Sequence, residues 1–171
     1  MVMFRVSIRY ALFCSLFLVG LFFLSGVFGI NPLIDLTHLF FDILIFAVFI
    51  FFGLKDFKTN FGAGYLHFWQ GMTIGFFIYS LTALVFTVVL IIYFLIDSSA
   101  IPEYKEAAIS FLESRREIYE EQFGIEGFKV QLEGVEKVTL TDLVVSSVVK
   151  KIIAGFFVTP VISIILRKKP K

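Results

Sequence analysis

The sequence predicts an all-α membrane protein with four transmembrane helices, on two observations. Of its 171 residues, 58% are hydrophobic, and the mean hydropathy is +0.93, which is more apolar surface than one small soluble core needs. The apolar residues also fall into four long segments, each able to cross a hydrocarbon core about 30 Å thick. The net charge of +1 gives no reason to expect nucleic acid as a partner.

The first span is predicted over residues 10–30. Arg5 and Arg9 precede it, as charges precede the apolar part of a signal peptide, but an uncharged run of this length favours a retained helix. The single cysteine, Cys14, lies within this run. Because one cysteine has no partner within this sequence, an intramolecular disulfide and a cysteine-based metal site are not expected.

Three further spans are predicted over residues 36–54, 68–96 and 143–166. The third is long enough to reach about 43 Å at 1.5 Å per residue, so we expect it to tilt or to project from the lipid. Because neither proline nor a charged residue divides it, it counts as one crossing.

Basic residues in the short flanks of the spans predict the orientation. Eight of them would share one side of the membrane: Arg5, Arg9, Lys55, Lys58, Arg167, Lys168, Lys169 and Lys171. The opposite short loop, around Asn31 and Pro32, has none. Because cytoplasmic flanks are enriched in Lys and Arg, we expect a multi-pass protein of the cell inner membrane with both termini in the cytoplasm.

This topology leaves residues 97–142 as an extracytoplasmic loop within a single four-helix domain, 1–171. The loop holds eleven acidic and five basic residues. Proline is common in the first turn of a helix, and glycine is common where a helix ends. Pro102 and Gly124 therefore predict an acidic amphipathic helix over about 102–123. In the following FKVQL, apolar and polar residues alternate as they would in a short strand. Thr139 or Thr141 could cap the start of the last helix, with Asp142 in its first turn.

Asp35, His38 and Asp42 form an unusual polar group within an apolar span. At about 100° per residue they share one face of a helix. Lys150 and Lys151 lie at a similar depth in span four, and a lone charge in hydrocarbon is costly. We therefore expect Asp42 to face the bundle interior and to meet one of these lysines.

Two other interpretations of this cluster stay open. The lysines could extend to the outer interface while Asp35 caps its helix, or the cluster could be a working proton or ion site. A metal site is disfavoured, since one histidine with carboxylates seven residues apart is a poor ligand set.

Small residues predict where helices pack closely. Gly71 and Gly75, four residues apart in span three, form a smooth face that another helix backbone can approach. Gly155 in span four and Gly20 in span one are the expected counterparts. Packing within one bundle is favoured over homodimerisation.

The stretch KDFKTNFGAGYLHFWQGMTIGFFIYSLTALVFTVVLIIYFLID and the later KKIIAGFFVTPVISIILRKKPK together resemble a bacterial family of small four-helix integral inner-membrane proteins of unknown function. The shared features are a Gly-containing cytoplasmic turn, an aromatic residue and Gln before a Gly-rich helix start, an outer Asp, and a Lys-Lys-apolar-Gly pattern. The resemblance implies the architecture and carries no catalytic motif.

No phosphate-binding loop, metalloprotease motif or paired-cysteine motif is present in the sequence, so we expect neither an enzyme nor a bound cofactor or metal. The favoured function is an accessory or scaffold subunit of a larger membrane assembly. Its partners would be the lipid bilayer and another integral membrane protein or a second copy. The alternative is a small oligomeric transporter or proton-coupled carrier that uses the intramembrane Asp, His and Lys side chains.

Overall fold

A computed structural model describes residues 2–34 and 36–168. It divides into two compact units, Met1–Val89 with Ser147–Lys171 (unit 1) and Leu90–Ser146 (unit 2). The predicted all-helical fold is confirmed, because the described residues form six helices and no strand. The helices are α1 Val2–Val27, α2 Leu36–Asn60, α3 Phe68–Ile96, α4 Ala100–Glu113, α5 Arg116–Glu136 and α6 Leu140–Leu166.

Four of these helices, α1, α2, α3 and α6, are long and apolar enough to cross a membrane, as the sequence predicted. Several run beyond the apolar segments. Helix α1 begins at Val2 and so includes Arg5 and Arg9, and α2 continues to Asn60, which places Lys55 and Lys58 in its last turns. Hydropathy marks only the part of a helix that suits lipid, whereas the hydrogen-bond ladder continues into the polar flanks.

Side-chain contacts fix the directions of the helices in unit 1. Phe17 contacts Phe49, with 5.2 Å between the ring centroids, and Arg9 forms an ion pair with Asp56, so α1 and α2 run antiparallel. The Ser7 hydroxyl donates to the Ile74 carbonyl, and the Thr82 hydroxyl donates to the Ala11 carbonyl, so α1 and α3 run parallel. Each successive apolar helix therefore reverses direction, as membrane crossings must.

Unit 1 buries a narrow apolar core and exposes large apolar side chains around it. Phe46, Leu18 and Ile50 are fully buried at its centre. On the surface, Leu84 is 62% exposed and Phe157 is 67% exposed. Because soluble proteins rarely expose such continuous apolar surface, these helices are those of a multi-pass membrane protein.

Unit 2 departs from the sequence prediction in two places. The helix predicted over 102–123 is two helices, because Arg115 leaves helical geometry. Its guanidinium lies 4.3 Å from the Phe111 ring centroid. The alternation of FKVQL, which resembles that of a short strand, does not lead to one, since these residues belong to α5 and bury Phe128. Within α5, Gly124 adopts φ 74°, ψ 169°, and this kink coincides with the predicted stop.

The start of α6 is fixed by a local cap. The backbone N–H and hydroxyl of Thr139 donate to the Asp142 carboxylate over 2.9 and 2.7 Å, and the Asp142 N–H donates back to the Thr139 hydroxyl. This reciprocal arrangement satisfies donors that a helix start leaves unpaired. Thr139, one of the two predicted caps, is therefore the N-cap.

Candidate functional site

Helix α2 supplies two titratable side chains to the interior of unit 1. His38 and Asp42 lie one turn apart on the same face, and they are 6% and 3% exposed. The Nδ1 atom of His38 lies 3.6 Å from Oδ1 of Asp42. Asp35, the third predicted member of this face, lies outside the described residues.

Helix α6 supplies the opposite charge. The Lys151 side chain is 3% exposed, and its Nζ donates to Oδ2 of Asp42 over 2.9 Å. Both helices run in the same direction here, since Lys58 near the end of α2 donates to the Leu166 carbonyl at the end of α6. Asp42 and Lys151 are therefore at the same depth, and their attraction acts in an interior that screens it far less than water does.

The Lys151 ammonium has a second partner in α3. Its Nζ lies 3.8 Å from the centroid of the Phe86 ring, a cation–π contact. Phe86 is 3% exposed, so the ring and the ammonium are buried together. The contacts of Lys151 thereby join α2, α3 and α6 at one point.

Lys150 has a different environment, because adjacent residues on a helix point about 100° apart. Its side chain is exposed, and its Nζ donates to the Leu33 carbonyl in the loop before α2 over 3.0 Å. Of the two lysines considered from the sequence, Lys151 is thus the one that contacts Asp42. Lys150 instead ties the α1–α2 loop to α6.

A small cavity of about 30 Å³ adjoins this cluster. Its lining includes His38, Asp42, Lys150 and Lys151, together with Ser147 and Phe86. This volume holds a water molecule, whereas organic ligands occupy sites of roughly 300 Å³ or more. The arrangement can therefore hold charge, water or a proton, and it is too small for a metabolite.

A metal centre finds no support among the described residues, which contain no group of three His, Cys, Asp or Glu side chains placed to hold an ion. Cys14 is buried and free. The cluster at Asp42 combines a carboxylate with an ammonium, and a cation in that position would have to displace Lys151.

The three predicted packing glycines lie at the contact between α3 and α6. A Cβ added to Gly71 would lie 2.6 Å from Ser163 Oγ, and one on Gly75 would lie 2.3 Å from Thr159 Cγ2. A Cβ on Gly155 would lie 2.3 Å from the Cβ of Tyr79. The two helices thus run antiparallel with their glycine faces already covered inside one chain.

Gly20 does not take part in this packing, contrary to expectation. Nothing lies within 4 Å of a Cβ added there. Gly53 of α2 is more closely packed: an added Cβ would lie 2.8 Å from Ile78 Cδ1 of α3 and 3.4 Å from the Tyr10 ring of α1. A single glycine in an apolar helix does not indicate which face packs against a neighbouring helix, whereas a pair four residues apart defines such a face.

Sequence reasoning missed Phe86 and the Leu33 carbonyl. The chain has 24 phenylalanines, and nothing in the residue type marks the one that lies under an ammonium. Phe86 could be found only by placing α3 beside α6. No feature of the sequence indicates that the Leu33 carbonyl accepts a hydrogen bond from Lys150.

Four apolar helices closed around a buried carboxylate–ammonium pair define a multi-pass membrane protein with a charged interior. The chain belongs to the DUF4199 family, described as proteins of unknown function, whose model matches residues 9–168. The resemblance to a family of unknown function is thereby confirmed over nearly the whole chain. No curated protein and no solved structure matches the sequence.

Proposed function

We propose that this protein is a non-catalytic accessory or scaffold subunit of a larger assembly in a bacterial inner membrane. The observation that carries the proposal is a set of exposed large apolar side chains on α5, a charged helix outside the apolar spans. Four residues form this α5 surface, each between 55% and 67% exposed: Ile118, Phe123, Ile125 and Val130. Large apolar side chains exposed among charges are typical of a surface that another protein covers.

The rest of unit 2 favours α5 over α4 as the docking helix. Ala108 and Leu112 lie one turn apart in an apolar stripe of α4, and both are buried. Tyr104 of the same stripe is partly buried, and burial raises the pKa of its hydroxyl. These side chains are already used to fold unit 2, so α5 has the apolar surface that remains.

The interior of unit 1 supports a structural role. Asp42 and Lys151 satisfy each other's charge, and the adjoining cavity of about 30 Å³ has no room for a substrate. A buried pair of this kind fixes which helices pack together and in which register. A scaffold subunit requires a core in which the helices keep one fixed arrangement.

An orientation with both termini in the cytoplasm belongs to the same proposal. Arg9 of α1 forms an ion pair with Asp56 near the end of α2, and the backbone of Leu66 bonds to that of Lys168 after α6. The predicted basic flanks thus meet at one end of unit 1. Such a concentration of Lys and Arg favours the cytoplasmic side.

Crosslinking followed by mass spectrometry in native membranes tests the scaffold function. Lys129 lies on α5 next to Val130 of the docking surface, and its exposed ammonium can react. We expect recurrent crosslinks from Lys129 to one other integral membrane protein. Replacing both Ile118 and Phe123 by Ser should remove these crosslinks without changing the amount of protein in the membrane.

The matched control is a double Ser replacement at Leu16 and Leu84, which are exposed on the apolar helices of unit 1. These changes should leave the Lys129 crosslinks in place. If the Ile118 and Phe123 variant keeps the same crosslinks, or if Lys129 links only within its own chain, the scaffold function is wrong.

A second candidate, a proton-coupled carrier, is favoured by one observation. His38 Nδ1 and Asp42 Oδ1 lie 3.6 Å apart beside a cavity that can hold water. Titratable groups in contact with water inside a membrane are the components of a proton path. Four helices would need a second copy to build a pathway.

Proteoliposomes containing a pH-sensitive dye distinguish the two functions. A carrier should move protons down an imposed gradient, and Asp42→Asn should abolish the flux. A scaffold should show only the leak of empty vesicles, with or without the substitution. Flux that persists in Asp42→Asn would exclude this carboxylate as the proton site.

A further inference from the structure

A groove on the surface of unit 1 follows the contact between α2 and α6. Its volume is about 380 Å³, within the range of sites that hold small organic molecules. Its lining is apolar and includes Leu39, Ile43, Ala47, Ile153, Phe157 and Val161. Apolar walls of this kind select a hydrocarbon chain rather than a polar ligand.

A cation, Lys150, lies about one helical turn before Ile153, the first residue of α6 that lines this groove. Lys150, Ile153, Phe157 and Val161 follow one stripe of α6, at the spacing of successive helical turns. Leu39 lines both the groove and the small cavity that Lys150 also lines, so the two spaces adjoin. An occupant of the groove could therefore reach the Lys150 ammonium.

Lys150 has no ion-pair partner of its own within the described part of the chain, and the Asp42 carboxylate that lines the same cavity is bonded to Lys151. The hydrogen-bond partner of Lys150 is the neutral Leu33 carbonyl, and none of the ion pairs found there includes this lysine. The neighbouring Lys151 is neutralised by Asp42. An exposed ammonium about one helical turn from an apolar groove is complementary to a ligand with an anionic head and an apolar tail.

The length of the groove matches one leaflet. From Lys150 to Val161 the helix rises about 16 Å, which is about half of a hydrocarbon core roughly 30 Å thick. Leu166, the last residue of α6, lies about 24 Å from Lys150 along the same axis. The ammonium therefore lies near one interface, and the groove leads from it toward the bilayer midplane.

We propose that this groove binds one acyl chain of an anionic phospholipid, whose phosphate is bound by Lys150. Zwitterionic phospholipids carry the same phosphate together with their own ammonium, so they bind more weakly. The site is independent of any protein partner on α5.

Thermal unfolding of the full chain in a mild detergent tests this site. Phosphatidylglycerol should raise the Tm by about 4 °C more than phosphatidylcholine with identical chains, since binding to the folded state alone stabilises it. Lys150→Gln should lose that difference, whereas Lys150→Arg should keep it. Lys55→Gln, which removes an exposed ammonium elsewhere in unit 1, should also keep it.

Two further measurements separate a lipid from a free anion. Inorganic phosphate alone should leave the Tm unchanged, and an equal rise with phosphate would overturn the lipid site. A phosphatidylglycerol with a photoreactive group in mid-chain should label the peptide that contains Ile153 and Phe157 in the unmodified protein. Labelling spread evenly over the four apolar helices, or a phosphatidylglycerol preference that survives Lys150→Gln, would also overturn it.

Discussion

The Nζ atom of Lys151 lies 2.9 Å from Oδ2 of Asp42, although 109 residues separate them in the chain. Both side chains are about 5% exposed or less, and the pair joins the second apolar helix to the last. Removing one member of such a pair leaves the other charge buried without a counterion.

We expect Asp42→Asn and Lys151→Met each to destabilise the folded state by about 3 kcal/mol. The double variant should cost less than the sum of the two, because it leaves no unpaired charge. Unfolding in mixed detergent and denaturing detergent, followed by circular dichroism, gives the three free energies.

The Arg116–Glu120 pair on α5 provides the control. It spans one helical turn, and its arginine side chain is 60% exposed. Glu120→Gln, which removes the ion pair and leaves the arginine in place, should cost about 0.5 kcal/mol or less. Single variants of Asp42 and Lys151 that unfold as this control does would mean that the pair does not stabilise the bundle.

Gly75→Ala should destabilise the contact between α3 and α6 by about 1–3 kcal/mol, because the added methyl group overlaps Thr159 Cγ2. Gly20→Ala makes the same change in α1, where nothing lies within 4 Å, and it should be neutral or slightly stabilising. The same detergent unfolding measurement compares the two. Equal effects at both positions would contradict the close approach at Gly75.

A second glycine pair tests the kink in α5. Gly124 has φ 74°, ψ 169°, a conformation that is strained for any residue with a Cβ. Gly124→Ala should therefore destabilise the chain by about 1–3 kcal/mol, whereas Gly134→Ala, in open space on the same helix, should stabilise it by about 0.5–1 kcal/mol. Amide hydrogen exchange of residues 116–136 would show the two opposite changes locally.

Cysteine labelling in intact cells tests the proposed orientation. The native Cys14 is fully buried, so it gives little background. Ser114→Cys should react with a membrane-impermeant maleimide in intact cells, and Thr59→Cys should react only after permeabilisation, since both side chains are exposed. Labelling in the reverse order would place the acidic unit in the cytoplasm.

Much of the fold could be predicted because lipid restricts the possible structures. A backbone in hydrocarbon must satisfy its own hydrogen bonds, so a long apolar segment is a helix. The break at Arg115 could not be predicted in this way, since the segment around it is amphipathic and lies outside the apolar spans. There Arg115 leaves helical geometry, and its guanidinium lies 4.3 Å from the ring centroid of Phe111, four residues earlier.

The candidate site was only partly accessible to sequence reasoning. The cost of charge in lipid pointed to Asp42 and to a lysine at the same depth. The choice between Lys150 and Lys151 depends on the rotation of α6 about its axis, because the two differ by about 100°. That rotation is fixed by the glycine contacts with α3, in which Gly155 faces Tyr79.

The separation of Asp42 and Lys151 along the chain has a consequence for biosynthesis. Ribosomes add about 5–20 residues per second, so α2 leaves the ribosome about 5–20 s before its counterion is made. During that interval a carboxylate inside hydrocarbon opposes insertion of α2 by about 3 kcal/mol. Helix α2 should therefore stay close to the insertion machinery until α6 arrives, and nascent chains truncated before residue 151 should be retained there.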